Sequence, residues 1–173
     1  MNRVAHPKHE QVRQRYGLHC GYCGVAEEDV GGELTVDHYV PLSAGGDETD
    51  GNLVYACHRC NLYKGDFRSN DEDIRFGRLV LHPLRDDSES HFRRNSRTGL
   101  LEPLTATGRF HIALLHLNRP ALVALRLRRR RDVLRAAKIE LLAAENRELR
   151  AILDGQRELL ERLKRLLQSP DVE

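Results

Sequence analysis

The sequence predicts an α+β protein. It has a small zinc-stabilised strand–loop–strand–helix core, then a short hairpin, then a long C-terminal helical extension. Three observations predict this. All four cysteines fall in two C-x-x-C pairs, Cys20 with Cys23 and Cys57 with Cys60. The segment between the pairs changes from alternating to helical patterning in a fixed order. A heptad of apolar residues occupies the last part of the chain. The expected divisions are residues 1–70 for the core, 71–119 for a strand, hairpin and helix, and 120–168 for the long helix, a possible coiled coil.

Within the core, residues 7–16 read as a short polar helix starting at Pro7, where a missing N–H costs little, and ended by Gly17. Cys20-Gly21-Tyr22-Cys23-Gly24 is a knuckle whose glycines let the backbone turn so that both sulfurs face one ion. Residues 25–32 are acidic and glycine-rich and read as a loop. Leu34 to His38 alternates as a strand that Pro41 stops, and Gly45-Gly46-Asp47 marks an irregular loop. Asn52 to Ala56 is a second strand. A helix from Cys57 to about Phe67 carries the second knuckle at its start. Four thiolates close a tetrahedral zinc site with no position left for chemistry, so this metal is structural.

The chain has 173 residues, a formal net charge of +2 and 31% charged residues. No apolar run approaches the length of a membrane span, and the N-terminus lacks the apolar core of a signal peptide. A cytoplasmic protein without membrane association is the expectation. In that reducing setting paired C-x-x-C motifs read as metal ligands rather than disulfides.

Beyond the core, a hairpin is expected near residues 91–104 with its turn at Ser96 to Gly99. Thr105 caps a helix with Phe110, Ala113, Leu114 and Leu117 on its apolar face. The last helix runs from Pro120 to about Gln168. Arg126 and Arg128 to Arg131 crowd one stretch of it, so little of that turn is expected to be buried. Arg128 and Arg129 are candidates for nucleic-acid contact, against a merely solvated basic turn. From Leu142 the heptad runs through Glu145, Leu149, Ile152, Gln156, Leu159, Leu163 and Leu166. Six of these eight sites are apolar, which suits a homodimer or a partner protein.

Chemistry concentrates between the knuckles. An imidazole titrates near neutrality, so His38 can be a general base for an attacking water. Asp37 and the amide oxygen of Asn61 are hard oxygen donors suited to Mg²⁺ or Mn²⁺. Adjacent strand residues point to opposite faces, so Asp37 and His38 converge only if the strand bends after them. The rival role for Asn61 is that of a cap for its helix, with metal ligation the favoured one. Lys64 and Arg59 lie on that helix as candidate phosphate contacts. The remaining histidines, His6 among them, have no motif around them and receive no role.

The ordered run C-x-x-C, D-H-x-x-P-L-S-x-G-G, N-L, C-x-x-C-N-x-x-K-G over residues 12–68 resembles the HNH endonucleases, the ββα-metal nucleases. A softer resemblance to the extension of bacterial stand-alone members reaches about residue 130. The resemblance implies that His38 is the general base, Asp37 the metal-binding acid, and Asn52 a residue that braces the loop. Asn61 stands at the last family position, where many members carry His, which makes this an H-N-N variant. It implies a divalent-metal-dependent DNA endonuclease or nickase, with RNA not excluded, leaving 5′-phosphate and 3′-hydroxyl ends. The alternative is a non-catalytic, zinc-stabilised DNA-binding or adaptor protein acting through its C-terminal helix.

Overall fold

A computed structural model describes residues 6–167; the expected helix end at Gln168 lies outside them. The chain divides into two units, one up to Leu127 and one from Arg128 onward.

The first unit begins with α1 (His9–Arg15), the first knuckle and a single-turn helix α2 (Glu27–Val30), where a loop was expected. α2 is held from outside itself, because Glu27 pairs with Arg13 of α1 at 2.6 Å and accepts from the Tyr55 hydroxyl. Strands β1 (Thr35–His38) and β2 (Leu53–Ala56) pair antiparallel, with Thr35 opposite Ala56 and His38 opposite Leu53. The loop between them turns through Gly45 and Gly46. A Cβ on Gly46 would stand 1.9 Å from the Val40 carbonyl oxygen, so only glycine fits there. Helix α3 (His58–Lys64) follows β2 directly and places Cys60, Asn61 and Lys64 over the sheet.

Every residue of β2 is buried, and the strand reads as a continuous apolar run for that reason. Val12, Leu53, Tyr55, Cys60, Leu115 and Leu117 form the centre of the core around it. A two-stranded sheet is not stable alone, so β1 and β2 depend on these helices and on the knuckles.

Residues 79–81 form no strand, although Val80 and Leu81 are buried. Helix α4 (Asp71–Arg75), capped by the Asn70 side chain, precedes them. The hairpin is present as β3 (Phe92–Arg94) and β4 (Leu101–Pro103). Thr105 caps α5 (Ala106–Leu114) by accepting from the Gly108 N–H. α5 buries Gly108, His111 and Ile112, whereas Ala113, expected inside, is exposed. The face is rotated because Gly108 permits close approach to the His91 backbone, where a Cβ would meet a carbonyl oxygen at 1.9 Å.

His111 is 3% exposed and its Nδ1 accepts from the Leu81 N–H at 3.0 Å. Burial, with a lesser contribution from His91, pushes its pKa down from 6.5 to about 4. Below pH 6.5 the unfolded chain therefore takes up a proton that the folded chain refuses, so stability falls with pH. The expected loss between pH 7 and pH 4 is about 3 kcal/mol from this residue. Thermal melts across that range check it, with His111→Gln expected to flatten the dependence. His82 is pushed down as well, mainly by burial, and adds in the same direction.

Helix α6 (Pro120–Leu167) starts inside the first unit, where Leu122 is buried. Arg126 is buried too, contrary to the expectation for this basic stretch. Its guanidinium donates to the carbonyls of Gly99 and Leu117, which supply the acceptors an interior cation needs.

The second unit is the rest of α6. Leu142, Leu149, Ile152, Leu159, Leu163 and Leu166 are all exposed, between 48% and 65%. Leu153 and Leu160 lie on the same side and widen the stripe beyond a strict seam. Ion pairs such as Lys164 with Glu161, at 2.9 Å, dress the rest of the helix.

Candidate metal and base site

The four cysteine sulfurs lie within 4.8 Å of one another, and those of Cys23 and Cys57 are 3.7 Å apart. A tetrahedral zinc with Zn–S bonds of about 2.3 Å needs sulfurs about 3.8 Å apart, so the set fits that ion. Cys20, Cys57 and Cys60 are buried. Arg119, just before α6, brings its guanidinium within 3.8–3.9 Å of the sulfurs of Cys23, Cys57 and Cys60. Four thiolates on Zn²⁺ would carry a formal charge of about −2, part of which Arg119 would offset. Nothing in the local motif identifies this partner, which is distant in sequence.

β1 stays regular through His38, and the next residue continues the ladder, the Tyr39 N–H donating to the Asn52 carbonyl at 2.7 Å. The ladder is regular across Asp37 and His38, which therefore alternate in direction along it, and the chain bends directly after them, at Tyr39 and Val40. Asp37 and Asn61 find their partners on the α3 side, and His38 finds its own in the loop.

Asp37 faces α3. Its carboxylate accepts from the Tyr22 hydroxyl at 2.6 Å and pairs with the Lys64 ammonium at 3.1 Å. Lys64 also donates to the His38 carbonyl at 2.6 Å. Burial pushes the Asp37 carboxyl above the usual carboxylate range, with Lys64 and Tyr22 pulling it back. Lys64, expected at phosphates, is 3% exposed here because the buried carboxylate holds it. Asn61 donates to the Thr35 hydroxyl at 3.2 Å, on the same strand face as Asp37. The Lys64 ammonium is the cation that this face holds. A hard divalent ion would take Asp37 and Asn61 as ligands once Lys64 turned away.

His38 faces the loop. Its Nε2 lies 3.1 Å from Oε1 of Glu48, whose Oε2 lies 2.7 Å from Nε2 of His6. Neither Glu48 nor His6 stands in a motif, and only the folded loop brings them to His38. Hydrogen bonds from His6 first, then His38, hold the Glu48 carboxyl below its ordinary range.

Asn52 fixes that loop. Its side chain accepts from the Val40 N–H at 2.7 Å and donates to the carbonyls of Val40 and Asp47 at 3.0 and 2.8 Å. Arg59 is exposed on α3, while Arg128 is exposed and Arg129 half-buried on α6. A groove of about 370 Å³ beside the loop is lined by Asp47, Thr49 and Asn52 and by Arg68 and Arg85.

Residues 20–67 match the family model described as HNH endonuclease. The chain is also similar to the Septu protein PtuA of Bacillus mycoides (strain KBAB4). The two are 27% identical over 144 residues, which covers 68% of this chain and 20% of that protein. The chain thus spans about a fifth of the length of that relative. No solved structure matches.

Proposed function

We propose that the HNH domain of residues 20–67 hydrolyses phosphodiester bonds in DNA, as a divalent-metal-dependent endonuclease or nickase. The observation that carries this reading is His38: it ends β1 inside the matched segment, half-buried, with Nε2 held and Nδ1 left to take a proton. His38 removes a proton from the attacking water, and Asn52 keeps the loop beneath the base in place. Asp37 and Asn61 would hold Mg²⁺ or Mn²⁺, which would supply positive charge for the leaving oxygen. Arg68, Arg85 and the exposed Arg59 suit the phosphate backbone, as do Arg128 and Arg129 on the helix. The apolar stripe from Leu142 to Leu166 mates with a second copy or a partner protein. Two copies would supply the two active sites that a double-strand cut requires.

Nicking of supercoiled plasmid with Mg²⁺ or Mn²⁺ tests the reading. His38→Ala is expected to lower the rate by about 10²- to 10⁴-fold, the usual contribution of a general base. Zinc content and DNA affinity should be retained. Equal rates for variant and wild type would remove the assignment.

One observation favours a second reading. Asp37 is locked in a buried pair with Lys64, on the opposite strand face from His38. A zinc-stabilised DNA-binding or adaptor protein acting through α6 would need no release of that pair. Among the described residues no helix is long and apolar enough to cross a membrane.

A further inference from the structure

The loop carboxylate at Glu48 has no place in the catalytic set proposed above, yet it sits between two imidazoles. We infer that His6, Glu48 and His38 form a hydrogen-bonded relay that fixes the tautomer of the base, with Glu48 as its positioning residue. The inference rests on the proposed role of His38 and deepens it.

The direction of each hydrogen bond follows from chemistry. A backbone N–H can only donate, and that of Lys8 donates to Nδ1 of His6 at 3.1 Å. Neutral His6 therefore carries its proton on Nε2. That proton goes to Oε2 of Glu48 at 2.7 Å. An ionised carboxylate accepts only, so its other oxygen takes the Nε2 proton of His38 at 3.1 Å. The lone pair of neutral His38 is left on Nδ1, the nitrogen that meets water.

The Glu48 side chain is exposed, but its backbone is tied down. Lys8 donates its ammonium to the Glu48 carbonyl at 2.7 Å and to the Asp50 carboxylate at 3.0 Å. Gln11 and Arg15 also bind Asp50, at 2.8 and 3.0 Å. The segment around α1 thus buckles the loop in place, and the same segment supplies His6.

Two imidazoles and a carboxylate also have the composition of a transition-metal site. A metal on Nε2 of His6 would force a proton onto Nδ1, against the Lys8 N–H. The relay satisfies both nitrogens of His6 and both oxygens of Glu48 in place, and the metal site does not.

A carboxylate accepts from both imidazoles through two separate oxygens. Glutamine offers one acceptor oxygen and one donor amide, so in Glu48→Gln one ring either loses its partner or moves its proton to Nδ1. The test uses the full zinc-loaded chain. In nicking assays Glu48→Gln is expected to lower kcat roughly tenfold to a hundredfold with KM unchanged. Glu48→Asp should recover part of the loss, and His6→Ala should show a smaller loss than Glu48→Gln. Nitrogen-15 NMR of the histidine rings reads the relay without any activity. Wild type should show Nε2 protons on both His6 and His38, slowed in exchange with water, and Glu48→Gln should lose that protection. The same ring spectra in both proteins, or His38 protonated on Nδ1 in wild type, would overturn the relay. A protein with the predicted spectra that cuts no nucleic acid would retain the relay and lose the nuclease reading.

Discussion

Stripping the zinc with a chelator is expected to unfold the first unit, residues 6–127. Structural zinc contributes about 10–16 kcal/mol of binding free energy in small domains. Net stability of a domain is about 5–15 kcal/mol, so removing the ion consumes most or all of it. The geometry leaves little to replace the metal. Cys20, Cys57 and Cys60 lie inside the core cluster with Leu53, Val54 and Tyr55, and the sheet they anchor has two strands. Without the ion, four polar thiols and the Arg119 guanidinium would share a space built for a charged centre. Cys57→Ser should reproduce the loss, since it removes one of the four ligands. The measurement is near-UV circular dichroism and amide dispersion of the first unit, with zinc release followed in parallel. Far-UV signal is a poorer reporter, because the solvated turns of α6 after Arg128 carry helix content of their own. Full release of zinc with an unchanged near-UV spectrum would show that the thiols only decorate a self-sufficient core.

Much of that core is legible from the order of residues. The C-x-x-C pairs specify a shared ion because spacing and chemistry are local. β1 follows from alternation, β2 from a short apolar run, and α3 from a knuckle that starts a helix. The structure departs from expectation wherever a residue's partner is remote in sequence. Helix α2 is too short to show a period and exists because Arg13 and Tyr55 hold Glu27. Arg119, His6 and Glu48 acquire their neighbours only through tertiary folding. Arg126 reads as one more exposed cation until the Gly99 and Leu117 carbonyls meet it. Lys64 reads as a phosphate ligand because lysine on a helix near a candidate site is usually solvated. Here the buried Asp37 claims it, and nothing within three residues of Lys64 announces that carboxylate.

Lys64→Met is expected to destabilise the first unit and, at the same time, to create a measurable Mg²⁺ site. In wild type the ammonium neutralises Asp37 at 3.1 Å, in surroundings where both groups are nearly inaccessible to water. Removing one partner of a buried pair leaves the other charged and uncompensated, which costs roughly 3–5 kcal/mol. The Tyr22 hydroxyl remains on the carboxylate and recovers part of this. Methionine keeps the length of the stem, so the loss reports charge rather than packing. If the Asp37–Asn61 face receives a divalent ion, Mg²⁺ should refill the vacated position and raise the melting temperature of Lys64→Met. Wild type should respond weakly, because Lys64 already occupies the face. Asp37→Asn in the Lys64→Met background should abolish the response and recover stability, since no buried charge is left. Were Mg²⁺ to leave Lys64→Met unchanged, Asp37 would be a structural partner of α3 and no more. The opposite-face placement of His38 would then favour the DNA-binding or adaptor reading, whose action depends on α6 and not on a catalytic ion.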